Sequence, residues 1–393
     1  MTPDPATRIA SRMASIAAFE VMEIQTLARA REAQGADVIH LEIGEPDFRT
    51  PAPVVEAAKR ALDAVPMNYT SALGIAPLRE AIARFYRDRY GVAVPAERVV
   101  VTAGSSAALL LAFGVLLDAG DEVLLADPGY PCNRHFAIAL GGVPRAVPVG
   151  PASRYQLTPE IARAAWTPRT RVAMVASPAN PTGTLVTPEE VAGLAALARG
   201  KGATLLVDEI YHGLTYGRDA RTALEAGDDV FVVNSFSKYF QMTGWRLGWM
   251  VVPQPFVREV EKLAQNLYIS PSTLAQHAAL AAFAPETIAV LEARRKELAG
   301  RRDYLLPALA SLGFGIPVQP EGAFYVYADS SRLAPDSFAF ARRVLEEAGV
   351  AFTPGRDFGS HEPEKHIRIA YTQPVARLEE AVARLRRFLA GGT

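Results

Sequence analysis

The sequence has little cysteine, little net charge and no long apolar run, the features that would indicate a disulfide-bonded, nucleic-acid-binding or membrane protein. It contains one cysteine, Cys132, in 393 residues, which excludes an internal disulfide and is typical of a reducing cytosol. The formal net charge of −1 gives no electrostatic basis for binding nucleic acid or an acidic membrane surface. The first residues have no apolar signal core, and no apolar run approaches membrane-spanning length. We therefore expect a soluble, cytoplasmic protein that binds neither nucleic acid nor membrane.

Histidine is also scarce. The six histidines lack the spacing of metal ligands, so no metal site is predicted. His212 and His361 are expected to lie on the surface or in loops.

The length and the pattern of the chain indicate two domains of an α/β protein. The chain is too long for one small core, and its composition, with 50% hydrophobic and 21% charged residues, is that of an ordinary soluble enzyme. Between residues 99 and 233, apolar strand-like runs alternate with helical segments, which predicts βαβ units and a mostly parallel sheet. We expect a large domain over residues 50–280 and a smaller α+β domain that joins residues 1–49 to residues 281–393.

The boundaries of individual elements are predicted from periodicity and from turn residues. The predicted helices are 12–33, 51–64, one that ends near Tyr90, 105–117, 134–140, 188–199 and a long helical region over 272–312. The predicted strands are 37–42, 99–102, 122–126, one near Val147, 172–176, 204–207, 229–233, 323–327 and 366–370.

Four strands of the predicted sheet end in turns whose side chains are capable of chemistry. Ligands of open α/β sheets bind at the carboxyl ends of the strands, so these turns are expected to surround one site. A helix cap or a buried phenol would explain any one of them alone, but four successive turns favour a common site. The turns contribute Gly104 with Ser105 and Ser106, then Asn180, then Asp208 with Tyr211, and finally Lys238.

The prediction of the ligand site depends mainly on one stretch, Asn234 to Trp249, which reads N-S-F-S-K-Y-F-Q-M-T-G-W-R-L-G-W. Ser235, Ser237 and Lys238 come just after a predicted buried strand. Arg246 follows eight residues after Lys238, between two glycines. Serines and an arginine can hold a phosphate, and the lysine can form a Schiff base with an aldehyde. The Asp208 carboxylate can keep a ring nitrogen protonated, while a phenol and an amide can bind a ring oxygen. This set of groups suits pyridoxal 5'-phosphate.

The chain resembles the class I and II aminotransferases, the aspartate-aminotransferase-like group of fold type I pyridoxal-phosphate enzymes. The resemblance extends from about Arg12 to Leu389, and its most specific parts are N-P-T-G at 180–183, D-E-I-Y at 208–211 and S-F-S-K-x-x-x-M-T-G-W-R-L-G at 235–248. It implies a homodimer that moves an amino group from an L-amino acid to a 2-oxo acid by a ping-pong mechanism.

The resemblance also implies roles for individual residues. Lys238, Asp208 and Tyr211 are the expected catalytic residues. The expected cofactor-binding residues are Tyr69 of the neighbouring subunit, Gly104, Ser105, Ser106, Tyr130, Asn180, Asp208, Tyr211, Ser235, Ser237, Lys238 and Arg246. The expected substrate-binding residues are Gly44, Asn180 and Arg368, whose planar fork suits the α-carboxylate. Asp127–Pro128 and Asn180–Pro181 are expected to be cis peptide bonds.

Two alternatives stay open. One is another pyridoxal-phosphate reaction on the same fold, such as a carbon–sulfur β-lyase or an aminocyclopropane-carboxylate-synthase-like elimination. The other is a binding module like the regulators that fuse this fold to a DNA-binding domain. The similar region begins near residue 12, which leaves no room for a winged helix, and the M-T-G-W-R-L-G segment favours the aminotransferases.

The amino donor is expected to be neutral, apolar or aromatic. A dicarboxylate donor requires a second cation for its side-chain carboxylate, and neither 103–108 nor 265–273 contains lysine or arginine. We expect Tyr268 to form part of the donor pocket. The acceptor stays open between 2-oxoglutarate and pyruvate.

Overall fold

The computed structural model describes residues 8–391, so the ends of the predicted small domain, residues 1–7 and 392–393, lie outside the described residues. The strands are β1 (Ile39–His40), β2 (Val99–Thr102), β3 (Glu122–Asp127), β4 (Val143–Pro148), β5 (Thr170–Ala176), β6 (Thr204–Asp208), β7 (Phe231–Ser235), β8 (Gly248–Val251), β9 (Tyr325–Asp329), β10 (Val350–Ala351), β11 (Thr353–Pro354) and β12 (His366–Ala370).

The α-helices lie between these strands and at both ends of the described chain. They are α1 (Glu20–Glu32), α2 (Ala52–Ala64), α3 (Ala76–Tyr90), α4 (Gly104–Leu116), α5 (Pro131–Ala139), α6 (Pro159–Ala165), α7 (Pro188–Gly200), α8 (Val257–Leu267), α9 (Thr273–Ala279), α10 (Pro285–Ser311), α11 (Ser337–Ala348) and α12 (Val375–Gly391). Within residues 8–391 no single helix is long and apolar enough to cross a membrane, although the bent pair Thr273–Phe283 and Pro285–Ser311 has the required length and composition.

Seven strands form one sheet in the order β2-β8-β7-β6-β5-β3-β4. Every neighbouring pair is parallel except those of β8, which is antiparallel to β2 and to β7. The predicted mostly parallel sheet is therefore confirmed. No strand or helix is predicted for 248–267, where the structure has β8 and α8.

Both faces of this sheet are covered. Successive strand residues alternate between two buried clusters, with Val99 and Val101 in one and Val100 in the other. Helix α4, whose apolar residues continue around the helix, contributes to the second cluster. Because both faces are packed, a ligand has access at the strand ends.

The remaining strands form two smaller sheets. Strand β12 lies between β9 and β11 and is antiparallel to both, while β1 pairs in parallel with β10. The β1–β10 pair joins the N-terminal segment to the C-terminal part of the chain. The division into 50–280 and 1–49 with 281–393 remains a prediction, which this pairing supports.

Several predicted boundaries are wrong. The predicted helix over 12–33 is a 3₁₀ turn, Ser11–Ser15, followed by extended residues and then α1. The predicted strand over 37–42 is reduced to the two residues of β1. The long helical region breaks at Ala284, because Pro285 suits the first turn of α10 and cannot continue a preceding helix.

His212 lies in a turn between β6 and β7, which agrees with a loop position, but its side chain is buried rather than at the surface. Its Nδ1 lies 3.1 Å from the Tyr90 hydroxyl and 3.4 Å from Glu209 Oε2. Burial lowers the pKa of His212 to about 3, so the ring is neutral at physiological pH. Polar neighbours allow such a group to be buried.

Arg301 joins the two ends of the chain. This residue of α10 is 1% exposed, and its Nη1 and Nη2 donate to the two carboxylate oxygens of Asp47 at 2.8 and 3.0 Å. Nη2 also donates to Glu297 at 2.6 Å, and Nη1 donates to the carbonyl of Thr372. The guanidinium group therefore connects the N-terminal segment, α10 and the segment after β12.

We predict that Arg301→Met lowers the free energy of unfolding by about 1–3 kcal/mol, because the buried Thr372 carbonyl loses its hydrogen-bond donor and the partly buried Asp47 carboxylate loses its charged partner. Arg258, an exposed residue of α8 that pairs with Glu261 one turn away, provides the control, and Arg258→Met should change stability by less than about 0.5 kcal/mol. Urea denaturation measures both. Equal effects of the two substitutions would show that Arg301 does not join the two ends.

Candidate active site

Nine of the residues predicted for the site line one cavity of about 300 Å³ at the carboxyl edge of the large sheet. They are Gly44, Ser105, Ser106, Tyr130, Asn180, Asp208, Tyr211, Lys238 and Arg368. Most of them follow β2, β3, β5, β6 and β7, whose carboxyl ends meet at this edge. Arg368 comes instead from β12, so the cavity lies between the large sheet and the C-terminal part.

The turn that carries Lys238 is anchored by an aromatic core. Phe236, the first residue after β7, is fully buried. Its ring centroid lies 4.9 Å from that of Trp249 and 5.1 Å from that of Phe240. On the other side of the backbone, the Ser235 hydroxyl donates to Ser237 Oγ at 2.9 Å. These contacts fix the backbone on which Lys238 stands.

The Lys238 amine is held in surroundings that favour its neutral form. Its Nζ donates a hydrogen bond to the carbonyl of Gly44 at 2.6 Å. Desolvation is the main cause that lowers its pKa, to about 8; Glu45 opposes this change, and the positive charges of Arg368 and Arg246 add to it. A neutral amine is a nucleophile and a base, whereas an ammonium group is neither.

Asp208 stands at the end of β6 and is 5% exposed. Its Oδ1 accepts a hydrogen bond from the Ile210 amide at 3.0 Å. Burial raises the pKa of Asp208 to about 7, against the opposing effects of that amide and of Lys238. A protonated ring nitrogen beside this carboxyl group would favour its ionised form.

Arg368 is held rigidly. Its guanidinium carbon lies 4.3 Å from the ring centroid of Tyr325 and 4.9 Å from that of Phe358. Its Nη1 donates to Asn180 Oδ1 at 3.0 Å, and its Nη2 donates to the carbonyl of Glu42 at 2.6 Å. The buried Nε has no hydrogen-bond partner within residues 8–391. This unpaired donor is suited to a carboxylate ligand.

Tyr211 and Asn180 lie on turns that enter the cavity. The Tyr211 hydroxyl is 2.9 Å from that of Tyr325. The expected cis bonds Asp127–Pro128 and Asn180–Pro181 are confirmed, and Ser177–Pro178 is also cis.

The first turn of α4 lies against Arg246, and together they form a cradle whose chemistry suits an anion. Gly104 has a φ of +80°, and a Cβ atom there would lie 2.6 Å from Arg246 Nη2. The N-cap residue Ala103 provides no side-chain cap, so the amides of the first turn, at Ser105 and Ser106, are available to a ligand. Gly248 allows β8 to approach closely, since a Cβ atom there would lie 2.9 Å from the Ser105 nitrogen.

Six predicted residues are not among those that line the cavity. Four of them, Gly104, Ser235, Ser237 and Arg246, belong to the cradle and to the turn of Lys238 described above, and the other two are Tyr69 and Tyr268. Tyr69 is 81% exposed and is not among the residues that line the cavity. Tyr268 is not among the lining residues either, and in this chain it packs against the second buried cluster of the large sheet; its expected place in the donor pocket stays a prediction.

Several lining residues have no predicted role. Phe19, Val21 and Met22, at the start of α1, form an apolar wall, and Asp357 and Tyr325 come from the C-terminal part. Asp357 Oδ1 accepts the Glu20 amide at 3.0 Å and so caps α1. No local signal identifies these residues, because contact between the two ends of the chain brings them to the site. No group of three or more metal-ligating side chains occurs among the residues that the structure describes.

Comparison with known proteins identifies relatives over nearly the whole chain. Residues 36–385 match the family model of aminotransferase class I and II. The chain is 42% identical to the valine–pyruvate aminotransferase of Mycobacterium tuberculosis, over 97% of this chain and 98% of the relative. It is 40% identical to the aspartate/prephenate aminotransferase of Thermus thermophilus, over 91% and 92%. The crystal structure of an aminotransferase from Mycobacterium tuberculosis is similar with a TM-score of 0.94 at 42% identity, covering 98% of this chain and 99% of that one.

We predict that Lys238 reacts with acetic anhydride at lower pH than an ordinary lysine. Only the neutral amine reacts, and burial lowers the pKa of this amine from 10.5 to about 8, so labelling should rise through a midpoint near pH 8. Peptide mass spectrometry of the cofactor-free protein measures the labelling, and the exposed Lys59 controls for reagent decay. A Lys238 midpoint near 10.5 would contradict the prediction.

Proposed function

Because the chain belongs to the class I and II aminotransferases, which use pyridoxal phosphate, we propose that it transfers the amino group of a neutral L-amino acid to a 2-oxo acid by a ping-pong mechanism. The observation that carries this proposal is the cavity shared by Lys238, Asp208 and Arg368. These three provide an amine, a carboxyl group and a guanidinium group that this reaction would use. The lyase alternative gains no support from the relatives, which are named aminotransferases.

The residues present fit pyridoxal phosphate. The cradle of Gly104, Ser105, Ser106 and Arg246, with Ser235 and Ser237 on the adjoining turn, would hold the phosphate. Tyr130 would cover the ring, and Tyr211 and Asn180 would donate hydrogen bonds to its oxygen. The 300 Å³ cavity lies between these groups.

Lys238 and Asp208 would divide the proton chemistry. Bound pyridoxal phosphate supplies a ring that withdraws electrons from the α-carbon of the amino acid. Lys238 Nζ would anchor the cofactor and take the proton that leaves this α-carbon; the lowered pKa of the lysine, about 8, suits a base working near neutrality. Asp208 would hold a proton on the ring nitrogen through its carboxylate.

Arg368 would bind the α-carboxylate of the donor and later that of the acceptor. Its free Nε and its two aromatic neighbours support this role. Gly44, which lines the same cavity, would contact the substrate through its backbone. One carboxylate site serving both substrates in turn is the basis of the proposed ping-pong order.

The donor side chain would face the apolar start of α1. Phe19, Val21 and Met22 line this side of the cavity, and within the described chain its cationic lining residues are Lys238 and Arg368. Both have the roles given above, so a side-chain carboxylate would have no partner. The relative named for valine and pyruvate supports a neutral donor, whereas the relative named for aspartate and prephenate favours the opposite.

We also propose a cytoplasmic homodimer. Tyr69 is a large, exposed aromatic side chain, and its proposed role in holding the cofactor phosphate requires a second subunit. Light scattering that revealed an active monomer would contradict this arrangement.

Lys238→Ala should lower kcat by more than the ~10²–10⁴-fold attributed to acid–base catalysis alone, because the anchor and the base are lost together. Lys201, an exposed residue after α7, gives the matched control, and Lys201→Ala should retain full activity. Oxo-acid formation in a coupled assay measures both variants. Activity of Lys238→Ala within tenfold of the unmodified enzyme would remove Lys238 from its proposed role.

Aspartate should be a poorer donor than valine, leucine or phenylalanine by roughly 10- to 200-fold in kcat/KM, because its second carboxylate would be buried without a partner. A panel of twenty amino acids, each tested with pyruvate and with 2-oxoglutarate, measures this preference and identifies the acceptor. Aspartate as the best donor would overturn the proposal and would require a cation from another subunit.

A further inference from the structure

Tyr325 is a buried tyrosine that lines the cavity and has no role in the mechanism above. It is the first residue of β9 and pairs with Ala370 of β12, and its side chain is 1% exposed. Its hydroxyl lies 2.9 Å from the hydroxyl of Tyr211, and its ring faces the Arg368 guanidinium group at 4.3 Å. One side chain therefore contacts both the proposed cofactor partner and the proposed substrate partner.

The direction of the hydrogen bond between the two tyrosines follows from the number of protons. Each hydroxyl has one proton, and neither makes another hydrogen bond within residues 8–391. If Tyr211 donates its proton to the cofactor oxygen, it can only accept from Tyr325. Hydrogen bonds in such a chain polarise one another, so the bond from Tyr325 makes Tyr211 a stronger donor.

The backbone at Gly44 is shaped around the same hydroxyl. A Cβ atom at residue 44 would lie 2.1 Å from Tyr325 Oη, so this position accommodates only glycine. The Gly44 carbonyl accepts the hydrogen bond from Lys238 Nζ. The Tyr325 hydroxyl thus packs against the turn that also contacts the reactive lysine.

We propose that Tyr325 is a positioning residue with two separable parts: its hydroxyl orients and polarises Tyr211, and its ring supports the Arg368 guanidinium group. The inference rests on the roles of Tyr211 and Arg368 in the proposed function. The Tyr325 hydroxyl would act on the cofactor through Tyr211, and the Tyr325 ring would act on substrate binding through Arg368. Because different atoms carry the two effects, two substitutions can separate them.

The hydroxyl is tested by Tyr325→Phe, which keeps the ring. The visible absorption of the bound cofactor changes with pH as the cofactor loses a proton. A hydrogen bond donated by Tyr211 to the anionic oxygen of the cofactor favours the deprotonated cofactor. Weaker donation should move the midpoint of this change to higher pH by about 0.3–1 unit. Tyr327→Phe is the control, because Tyr327 lies on the same strand and is equally buried but stacks on His366 instead. The control should leave the midpoint unchanged.

The ring is tested by Tyr325→Leu and the binding of isovalerate, a monocarboxylate that lacks the amino group. Loss of the contact between ring and guanidinium group should weaken isovalerate binding by about 2- to 30-fold. Tyr325→Phe should bind isovalerate within twofold of the unmodified enzyme. Calorimetry on the cofactor-loaded enzyme measures these affinities, and circular dichroism establishes that each variant is folded.

Tyr211→Phe distinguishes failure of this inference from failure of the proposed function. In that variant the midpoint should rise further than in Tyr325→Phe, and adding Tyr325→Phe to it should cause no additional shift. A shift in Tyr211→Phe without one in Tyr325→Phe, or additive shifts in the double variant, would overturn the role of the Tyr325 hydroxyl. Unchanged isovalerate affinity in a folded Tyr325→Leu would overturn the role of its ring. No shift in Tyr211→Phe would overturn the proposed role of Tyr211 itself.

Discussion

The burial of Phe236 determines where Lys238 stands. An aromatic ring at the exit of β7 packs against Trp249 of the neighbouring antiparallel strand, so the turn cannot move without opening the core. The next polar residue, Ser237, bonds to Ser235 on the opposite side of the turn. The site therefore rests on a packed interior, and the rigid strand ends rather than mobile loops set the distances between its groups.

Burial acts on the two titratable groups of the cavity in opposite senses. It lowers the pKa of the Lys238 amine to about 8 and raises that of the Asp208 carboxyl group to about 7. Both groups are therefore near the point at which they change charge, and a ligand that brings its own charges can shift either one at little cost. Arg368 differs, because its hydrogen bonds and aromatic neighbours hold its guanidinium group in one position.

Local sequence pattern predicts the sheet-edge part of the site, whereas Gly44 and Arg368 are expected from the family resemblance and Tyr325 and Asp357 are not expected at all, for a physical reason. Parallel strands bring their carboxyl ends together, so residues such as Asn180 and Asp208 can be assigned to one cavity from local pattern alone. Tyr325 and Asp357 reach the same cavity through packing between distant segments, which leaves no periodicity or turn signal near them. The contacts that Tyr268 makes within this chain are likewise set by tertiary packing against the large sheet.

The difference between residues at the sheet edge and residues from distant segments also affects which amino donors the site would accept. The groups at the sheet edge, together with Arg368, would contact the cofactor and the two parts that every amino donor shares, the reacting carbon and the α-carboxylate. Under the proposed function, discrimination among donor side chains would then depend on the start of α1, where Phe19 and Met22 line the cavity. That helix start is capped by Asp357 from the C-terminal part rather than by its own N-cap residue. The donor pocket can therefore change through substitutions in α1 while the reacting groups stay fixed, and relatives named for valine and for aspartate can share one fold.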